Sequence, residues 1–346
     1  MPTKDDLRYF QAMPLDIKIA MTKARIREWV REYGQEGVYV SFSGGKDSTV
    51  LLDLVRQDFP SVEAVFVNTG LEYPEIQRFV KSFDNVTILR PKMRFDEVIR
   101  KYGYPIISKE VSLCIYYARR GSEWGIRQLN GLDKNGNPHS FKQAMYSKYK
   151  PLLDTDFLIS DKCCGVMKEK PIDDYAKRVG KLPITAIMAN ESKKRETAWL
   201  MTGCNSFDAK KPMSKPMSFW TEQDVLQYTK QNSLPIASVY GDIEYATDPE
   251  QLRLWDCFEG ECGCDKLTTT GCKRTGCIFC AFGCHLEKEP SRFQRLKQTH
   301  PRQYEYCIGG GAYDTDGIWK PNAEGLGMGH VFDELNKIYG DGFIKY

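Results

Sequence analysis

A glycine-rich loop between a strand-like and a helix-like stretch is the segment of this chain best suited to bind an anion. Residues 38–43 (VYVSFS) are β-branched and aromatic, as in a buried strand, and residues 48–56 carry apolar side chains at helical spacing. Between them, Gly44 and Gly45 let backbone amides approach a ligand closely, and Lys46 adds a positive charge. The helix N-terminus supplies unpaired amides and the positive end of its dipole. The pattern predicts a phosphate-binding loop that is not a Walker A loop, because the GxxxxGK[ST] spacing is absent.

The motif SGGKDS at this junction resembles the PP-loop of the ATP pyrophosphatase superfamily, whose members cleave ATP between the α- and β-phosphates and activate a substrate as its adenylate. The PAPS and APS reductases carry a variant of this loop. The resemblance implies ATP or an adenylyl sulfate as the nucleotide, with Mg²⁺ as a candidate companion ion. The implied nucleotide-binding residues, of which Lys46 and Asp47 are also candidate catalytic residues, are Ser43, Gly44, Gly45, Lys46, Asp47 and Ser48. The ordinary alternative is a glycine-rich turn with a solvated lysine.

A second strand is predicted over residues 62–68, directly before Thr69 and Gly70. Parallel sheets bind ligands beyond the carboxyl ends of their strands, so we expect Asn68, Thr69 and Gly70 to lie beside the loop and frame the nucleoside. The reductases that the loop resembles carry Asp-Thr-Gly here, so Asn68 replaces an aspartate. The ordinary alternative is a strand-end turn.

Strands and helices alternate along the first half of the chain. This alternation predicts an α/β fold with a doubly wound, mostly parallel sheet, of the type the resemblance implies, the PP-loop or adenine nucleotide alpha hydrolase-like fold. The other expected elements are helices over 15–33, 74–83 and 95–102, strands over 86–90 and 184–188, and a helix capped by Thr221. Ser108 and Lys109 either reach a phosphate or begin a helix. We expect a nucleotide-binding domain over residues 1–240 and a cysteine-rich, metal-binding, helical region over 241–346.

Adjacent cysteines, Cys163 and Cys164, lie far upstream of a C-x-x-C pair, Cys277 and Cys280. Four thiolates suit a [4Fe–4S] cluster or a structural zinc ion. The pattern resembles the cluster signature of APS reductases, in which Lys and Pro follow the cysteine pair at the offsets of Lys168 and Pro171. The resemblance implies that the four cysteines bind the cluster, with Cys284 as a spare neighbour, and that Lys168 acts near the phosphates of the nucleotide.

A second group of cysteines precedes the C-x-x-C pair. Its four members lie within 16 residues, which fits a small Zn²⁺ site: Cys257, Cys262, Cys264 and Cys272. The alternatives are reduced surface thiols or alternate cluster ligands.

Arg195 is a further candidate for binding phosphate or sulfate, because its guanidinium is a planar fork of donors. The segment resembles the reductase pattern Gly-x-Arg-x-x-Glu-Ser-x-x-Arg, with Glu191, Ser192 and Arg195 in matching places. Met188 stands where the first arginine would be, and the family's C-terminal nucleophilic cysteine is missing. Cys307 is the nearest candidate to replace that nucleophile.

Composition restricts the class of protein. The net charge of +3, from 49 basic and 46 acidic residues, is too small to indicate nucleic-acid binding by itself. We expect a cytoplasmic protein, because no apolar run approaches a membrane span and the first residues lack the apolar core of a signal peptide. Residues 116–150 are an exception in charge, with seven basic and two acidic residues among aromatic ones. They are either a surface for a nucleic acid or a surface insertion whose aromatic side chains pack inward.

Three functions are consistent with these patterns. The first is a PP-loop enzyme that cleaves ATP to an adenylate and pyrophosphate and uses an Fe–S cluster in sulfur transfer, with a nucleic acid or nucleoside as the candidate acceptor and a sulfur donor or redox protein as a candidate partner. The second is a phosphoadenylyl- or adenylyl-sulfate reductase that releases sulfite. The third is a nucleotide-binding regulator without catalysis. We prefer the first, because the tail lacks the reductase nucleophile and the loop is intact.

Overall fold

The computed structural model describes residues 2–246 and 266–346, and the chain folds into two compact units. The first unit comprises Met1–Asn68, Glu72–Leu89 and Ile172–Thr275, and the second comprises Thr69–Leu71, Arg90–Pro171 and Gly276–Tyr346. The units are therefore interleaved along the sequence. The division into residues 1–240 and 241–346 stays a prediction.

The elements alternate between strands and helices through most of the first unit. The described strands are β1 (Val38–Ser41), β2 (Ala64–Val67), β3 (Val86–Leu89), β4 (Ile106–Ile107), β5 (Leu182–Ile184), β6 (Asn205–Ser206), β7 (Met213–Ser214), β8 (Ile243–Tyr245), β9 (Leu267–Thr269), β10 (Ala281–Phe282), β11 (Ala312–Tyr313) and β12 (Trp319–Lys320). The described α-helices are α1 (Lys4–Gln11), α2 (Leu15–Tyr33), α3 (Lys46–Asp58), α4 (Pro74–Lys81), α5 (Phe95–Tyr102), α6 (Lys109–Ala118), α7 (Glu123–Leu129), α8 (Ser140–Tyr146), α9 (Lys162–Cys164), α10 (Lys170–Val179), α11 (Lys193–Thr202), α12 (Glu222–Gln231), α13 (Arg292–Thr299), α14 (Pro301–Ile308) and α15 (Met328–Tyr339).

A six-stranded sheet forms the centre of the first unit. Its spatial order is β3-β2-β1-β5-β7-β6, and every neighbouring pair is parallel except β6 and β7. Val40 of β1 is in register with Ala64 of β2 on one side and Ile184 of β5 on the other. The predicted α/β fold with a mostly parallel sheet is confirmed.

Helices cover both faces of this sheet, because successive side chains of a strand point to opposite faces. On one face, Val38 and Val40 belong to a core that includes side chains of α2, α3 and α12. On the other face, Tyr39 and Val65 pack with Tyr175 of α10. Because β1, β2 and β5 are parallel, their carboxyl ends lie at the same edge of the sheet, and apolar packing on both faces stabilises this arrangement.

The predicted helices agree closely with the structure. The expected bounds of α2 and α5 are those observed, and Thr221 caps α12 through a reciprocal capping box with Asp224. The strand expected over residues 184–188 is wrong in its extent, since β5 covers Leu182–Ile184. The chain leaves the sheet after Ile184 and forms a short 3₁₀ turn over Ala189–Glu191.

In the second unit, a short strand lies between two segments that carry cysteines. Strand β4 pairs in parallel with β10, and Tyr104 just before β4 forms a parallel bridge with Ile159. The Ser160 amide donates to the carbonyl of Tyr104, which extends this contact towards α9. Within the described ranges, no helix combines the length and the apolar character that crossing a membrane requires.

Candidate nucleotide and thiol sites

The glycine-rich loop connects the carboxyl end of β1 to the first turn of α3. Gly44 has a φ of +71°, and a Cβ added there would lie 2.6 Å from Val80 Cγ2 and 2.9 Å from Ile76 Cγ2. Gly45 is the N-cap of α3, which begins at Lys46. The loop therefore requires glycine at residue 44 for both its backbone conformation and its packing against α4.

Serine hydroxyls hold the shape of the loop. The Ser43 amide donates to Ser48 Oγ at 3.1 Å, and the Gly45 amide donates to Ser43 Oγ at 3.3 Å. Ser48 Oγ in turn donates to the Gly45 carbonyl at 3.0 Å. The two serines of the motif thus stabilise the turn between strand and helix.

Lys46 is buried, and its donors contact groups from the second half of the first unit. Its Nζ lies 3.0 Å from Glu222 Oε1 and donates to the carbonyl of Lys273 at 3.1 Å, while its side chain is 5% exposed. Its backbone amide donates to the Tyr240 hydroxyl at 3.3 Å. That hydroxyl also lies 2.6 Å from Thr275 Oγ1. Because Lys46 is buried beside a carboxylate, it is not the solvated lysine that the alternative of an ordinary glycine-rich turn predicts.

Asp47 lies in the first turn of α3 and is half-buried. Burial raises the pKa of its carboxyl, and Glu222 adds to this effect, although Lys46, Arg274 and Arg195 oppose it. In the part of the chain that the structure describes, the buried Asp47 Oδ1 accepts no hydrogen bond, although the Lys46 ammonium lies 3.8 Å from it. This oxygen can accept a donor or a cation from a bound ligand.

Two other predicted residues lie at the same edge of the sheet. Asn68 follows β2, the neighbour of β1, and its amide donates to Leu89. Arg195 lies in the first turn of α11, where Ser192 caps its amide and Glu191 pairs with its guanidinium. Burial lowers the pKa of Arg195, and so does the charge of Arg274, whereas Asp47 raises it. Arg195 therefore lies within electrostatic range of the loop. The other two residues predicted to lie beside the loop, Thr69 and Gly70, belong to the second unit.

The four cysteines of the candidate cluster site lie in the second unit, where Cys163 is within electrostatic range of the other three. Cys163 is buried and donates a hydrogen bond to Cys164, and this bond, burial and the charges of Cys280 and Cys277 raise its pKa. The same bond lowers the pKa of Cys164. Strand β4 brings the two segments together, because Tyr104 contacts the chain before α9 and β10 follows Cys280 directly.

Three cations surround these thiols. Lys109 and Lys168 help to lower the pKa of Cys164, whereas burial raises the pKa of Cys280 against the opposing charges of Arg292 and Lys168. Arg292 Nη1 donates to the carbonyl of Cys280 at 2.9 Å, and its Nε donates to Glu287 Oε1 at 2.9 Å. Burial lowers the pKa of Lys109, but Cys164 and other neighbours outweigh it and the net shift is upward. Ser108 caps α6 by accepting from the Val111 amide, which is the helix-start alternative that the sequence left open.

A five-residue π-helix, Gly165–Glu169, directly follows Cys164 and carries Lys168. Single π-turns are rare and are often found at functional sites. Ile107, at the end of β4, has a φ of +60°, which is unusual for a β-branched residue. Both irregularities lie in segments that orient groups around the thiols.

No metal-binding geometry is present in the described residues: no three His, Cys, Asp or Glu side chains there are arranged to hold a metal ion. None of the nine cysteines in the described residues forms a disulfide bond. Cys284 is buried, its thiol donates to the Ala281 carbonyl at 3.0 Å, and burial raises its pKa to about 12. Of the candidate zinc ligands, Cys257, Cys262 and Cys264 lie outside the described residues. Cys272 lies within them, and its amide donates to Val239.

Residues 116–150, the basic segment with interleaved aromatic residues, include both buried and exposed side chains. Arg119 turns inward and donates to the carbonyls of Leu152 and Phe157. Trp124 and Phe141 are exposed, and the Arg120 guanidinium lies 3.6 Å from the centre of the Tyr116 ring. A nucleic-acid surface here stays a prediction.

The contacts of several residues at these sites were not predicted. Glu222 and Tyr240 contact the loop from more than 170 positions away. Their segment, residues 217–240, resembles a reductase segment with the pattern W-T-E-x-D-V, which favours a role in shaping the substrate pocket, but no contact with Lys46 was predicted. Lys109 was a candidate for phosphate, whereas in the structure it interacts with Cys164. Arg292 is one of many basic residues in its segment.

Comparison with protein families identifies the class of this chain. The family model of the phosphoadenosine phosphosulfate reductase domain matches residues 37–106 and 127–282, about two thirds of the sequence. The chain belongs to this family. The matched ranges include the glycine-rich loop and all four cysteines of the candidate cluster site.

Individual relatives are distant. An adenosine 5′-phosphosulfate reductase of Staphylococcus haemolyticus is 24% identical over 216 residues, which are 62% of this chain and 70% of that protein. The corresponding enzyme of Geobacillus kaustophilus is 32% identical over 90 residues, 24% of this chain and 38% of that protein. An uncharacterized protein of Methanocaldococcus jannaschii is 37% identical over 82 residues, 22% of this chain and 19% of that protein. The chain thus spans less than two fifths of the length of the last two relatives.

Two solved structures are similar over most of their length. One is a phosphoadenylyl-sulfate reductase from Candida auris in a phosphate complex, with a TM-score of 0.38 and 13% identity over 69% of this chain and 91% of that one. The other is an NH₃-dependent NAD synthetase from Campylobacter jejuni, with a TM-score of 0.33 and 14% identity over 72% of this chain and 86% of that one. Both TM-scores are below 0.5, too low to establish a shared fold.

Proposed function

We propose that this chain is a PP-loop enzyme that binds ATP, cleaves it to an adenylate and pyrophosphate, and uses a [4Fe–4S] cluster in transferring sulfur to a nucleic acid or nucleoside. The observation that carries the proposal is the buried Lys46 in a glycine-rich loop at the carboxyl edge of a parallel sheet, in a chain of the phosphoadenosine phosphosulfate reductase domain family. Ligands of open α/β sheets bind at this edge.

The loop residues suit the phosphates of a nucleotide. The amides at the start of α3 and the Lys46 ammonium would hold the departing pyrophosphate, since a helix N-terminus and a lysine both stabilise anions. Asp47 Oδ1 would accept a donor of the nucleotide or contact Mg²⁺, because it is buried and no described group donates to it. Arg195 would bind a negatively charged group beside the loop.

Four cysteine thiols can bind a [4Fe–4S] cluster or a zinc ion. Cys163 lies within electrostatic range of Cys164, Cys277 and Cys280. We choose the cluster because the Cys-Cys and C-x-x-C pattern resembles the cluster signature of APS reductases.

Lys109, Lys168 and Arg292 would offset the negative charge of four thiolates in this half-buried site. When bound, the cluster would supply a group that binds or delivers sulfur. The residues of the chain would orient it, and Lys109 and Lys168 would favour the thiolate form of Cys164.

A sulfonucleotide reductase is the second candidate, because the Staphylococcus haemolyticus relative is named an adenosine 5′-phosphosulfate reductase. That chemistry needs a reactive thiolate near the C-terminus. Cys307 is the last cysteine of the chain, is 0% exposed, and donates to Met328 Sδ at 3.5 Å. Burial raises its pKa well above the ordinary value, so it is a poor nucleophile.

The experiment is anaerobic purification followed by two assays on the same sample. The proposed function predicts pyrophosphate release from ATP, whereas the reductase predicts thioredoxin-dependent sulfite release from APS or PAPS. Lys46→Ala should weaken ATP binding about tenfold or more, because hydrogen bonds to charged groups contribute roughly 1.5–3 kcal/mol. Lys210→Ala, which removes an exposed lysine, is the matched control. Sulfite release without pyrophosphate release would reject the proposal.

A further inference from the structure

The anion-binding donors of Lys46 are already occupied by groups of the first unit. Its ammonium contacts the Glu222 carboxylate at 3.0 Å and the Lys273 carbonyl at 3.1 Å. Its backbone amide donates to the Tyr240 hydroxyl at 3.3 Å. The ring of the same tyrosine lies 5.7 Å from Nζ. Glu222 and Tyr240 therefore contact the two Lys46 groups, the ammonium and the backbone amide, that a bound phosphate would use as donors.

The position of both groups is well defined by their surroundings. Tyr240 is 2% exposed, and its hydroxyl also pairs with Thr275 Oγ1 at 2.6 Å. A Cβ on Gly45 would lie 3.2 Å from the Tyr240 oxygen, a tight contact, so glycine at this position favours the close approach of the tyrosine. Glu222 is in the first turn of α12, whose N-terminus is held by the capping box between Thr221 and Asp224.

A carboxylate and a phosphate compete for the same ammonium protons, and a phenol oxygen and a phosphate oxygen compete for the same amide. Glu222 carries one charge and its side chain is 45% exposed, so its bond to Lys46 is of modest strength. A ligand with several negative charges can displace it, because its attraction to Lys46 and to the helix N-terminus is larger. A ligand without phosphate gains nothing from the displacement.

We propose that Glu222 and Tyr240 determine the specificity of the loop for polyanionic ligands, by occupying the donors of Lys46 in the free protein and yielding them to a pyrophosphoryl group. The inference rests on the proposed function in one respect, namely that the loop binds phosphates. It adds that the two residues oppose anion binding and do not contribute to it. When pyrophosphate or ATP binds, the exposed Glu222 carboxylate turns away from Lys46, and the Tyr240 hydroxyl gives up the Lys46 amide.

The test compares Glu222→Gln and Tyr240→Phe with the unaltered full chain, by isothermal titration calorimetry with three ligands in Mg²⁺ buffer: inorganic pyrophosphate, ATP and adenosine. We expect Glu222→Gln to bind pyrophosphate and ATP about two- to fivefold more tightly, the effect of removing one exposed ion pair. Tyr240→Phe should bind both about two- to tenfold more tightly, the effect of one neutral hydrogen bond. The affinity for adenosine should be the same in all three proteins.

Glu36→Gln is the matched control, since Glu36 is exposed and lies before β1, at the opposite end of that strand from the loop. It should leave every affinity unchanged, and thermal melting checks that each variant folds. Weaker pyrophosphate binding in either variant would overturn the inference, because the side chain would then assist the ligand. Unchanged pyrophosphate binding, or an equal change for adenosine, would overturn it too while leaving the loop as the anion site. If pyrophosphate binds neither the unaltered chain nor any variant, both the inference and the proposed function fail.

Discussion

The Nζ of Lys18 lies 2.7 Å from Asp224 Oδ2, and both side chains are buried. Lys18 belongs to α2, and Asp224 belongs to the first turn of α12, two residues after Glu222. Lys18 also donates to the Gln11 carbonyl at 2.7 Å, and Asp224 accepts from the Thr221 amide and hydroxyl. This network fixes the N-terminus of α12, and with it the carboxylate that contacts Lys46.

Replacing Asp224 with Asn should therefore destabilise the protein by about 3–5 kcal/mol, because the buried Lys18 ammonium loses its counter-charge. Chemical denaturation measures the change. The control is Glu28→Gln, which breaks an ion pair between half-exposed side chains and should cost less than about 1 kcal/mol. Equal effects of the two substitutions would contradict the importance of the buried pair.

Gly44→Ala should both destabilise the chain and abolish phosphate binding by the loop. The new Cβ would lie within 3 Å of Val80 and Ile76, so the loop would have to move away from α4. The left-handed backbone conformation adds roughly 1–2 kcal/mol of strain. Gly180→Ala separates the two effects, since its φ is +70° and no atom lies within 4 Å of the added Cβ. Thermal melting and pyrophosphate titration should show a larger loss for Gly44→Ala, and equal behaviour would mean that crowding at residue 44 has no effect.

The parallel sheet and the loop could be predicted because their signals are local. The signal lies within 20 consecutive positions, which include the apolar residues of β1, the two glycines and the apolar spacing of α3. The folded chain forms the strand and the helix that these local patterns predict. The bounds of α2 follow from its periodicity and from Gly34, which ends it. Strand β5 was predicted too far, because apolar residues such as Ala186 and Met188 pack against the core without pairing with a strand.

The contacts that occupy the loop could not be predicted, since they depend on how distant segments pack. Tyr240 and Glu222 reach Lys46 only because α12 and the turn after it fold back over α3. Lys109 similarly reaches Cys164 because β4 lies beside the chain that leads to α9. A single sequence contains no periodicity or spacing that records such pairings.

Cys164→Ala should remove most of the iron and sulfide from protein purified without oxygen. The loss of one of four ligands leaves an iron site of the cluster open, and a cluster with an open site is readily lost. Metal and sulfide analysis, together with the visible absorption of the cluster, measures the effect. Cys204→Ala is the control, because Cys204 lies in the first unit and its surroundings include no other described cysteine that shifts its pKa. Iron absent from the unaltered chain, or retained fully by Cys164→Ala, would exclude a cluster on these thiols.

The pH dependence of stability should carry a contribution from Asp47. Burial raises the pKa of this carboxyl in the folded chain above its value of about 3.9 in the unfolded chain. Between these two pKa values the folded state binds more protons than the unfolded state, so stability falls as the pH rises through the window that begins near 3.9. At pH 7 the contribution is fully unfavourable.

Asp47→Asn should remove this dependence and raise the free energy of unfolding at pH 7 by up to about 1 kcal/mol, a bound set by the partial exposure of the side chain. The substitution should at the same time lower pyrophosphate release from ATP, since the carboxylate is proposed to face the nucleotide. Denaturation at several pH values between 4 and 7 gives the slope, and Asp5→Asn, where the side chain is 90% exposed, should leave it unchanged. If Asp47→Asn is less stable than the unaltered chain at pH 7 and keeps the same slope, the neighbours of Asp47 stabilise its carboxylate. That result would contradict the prediction that this carboxylate destabilises the free protein.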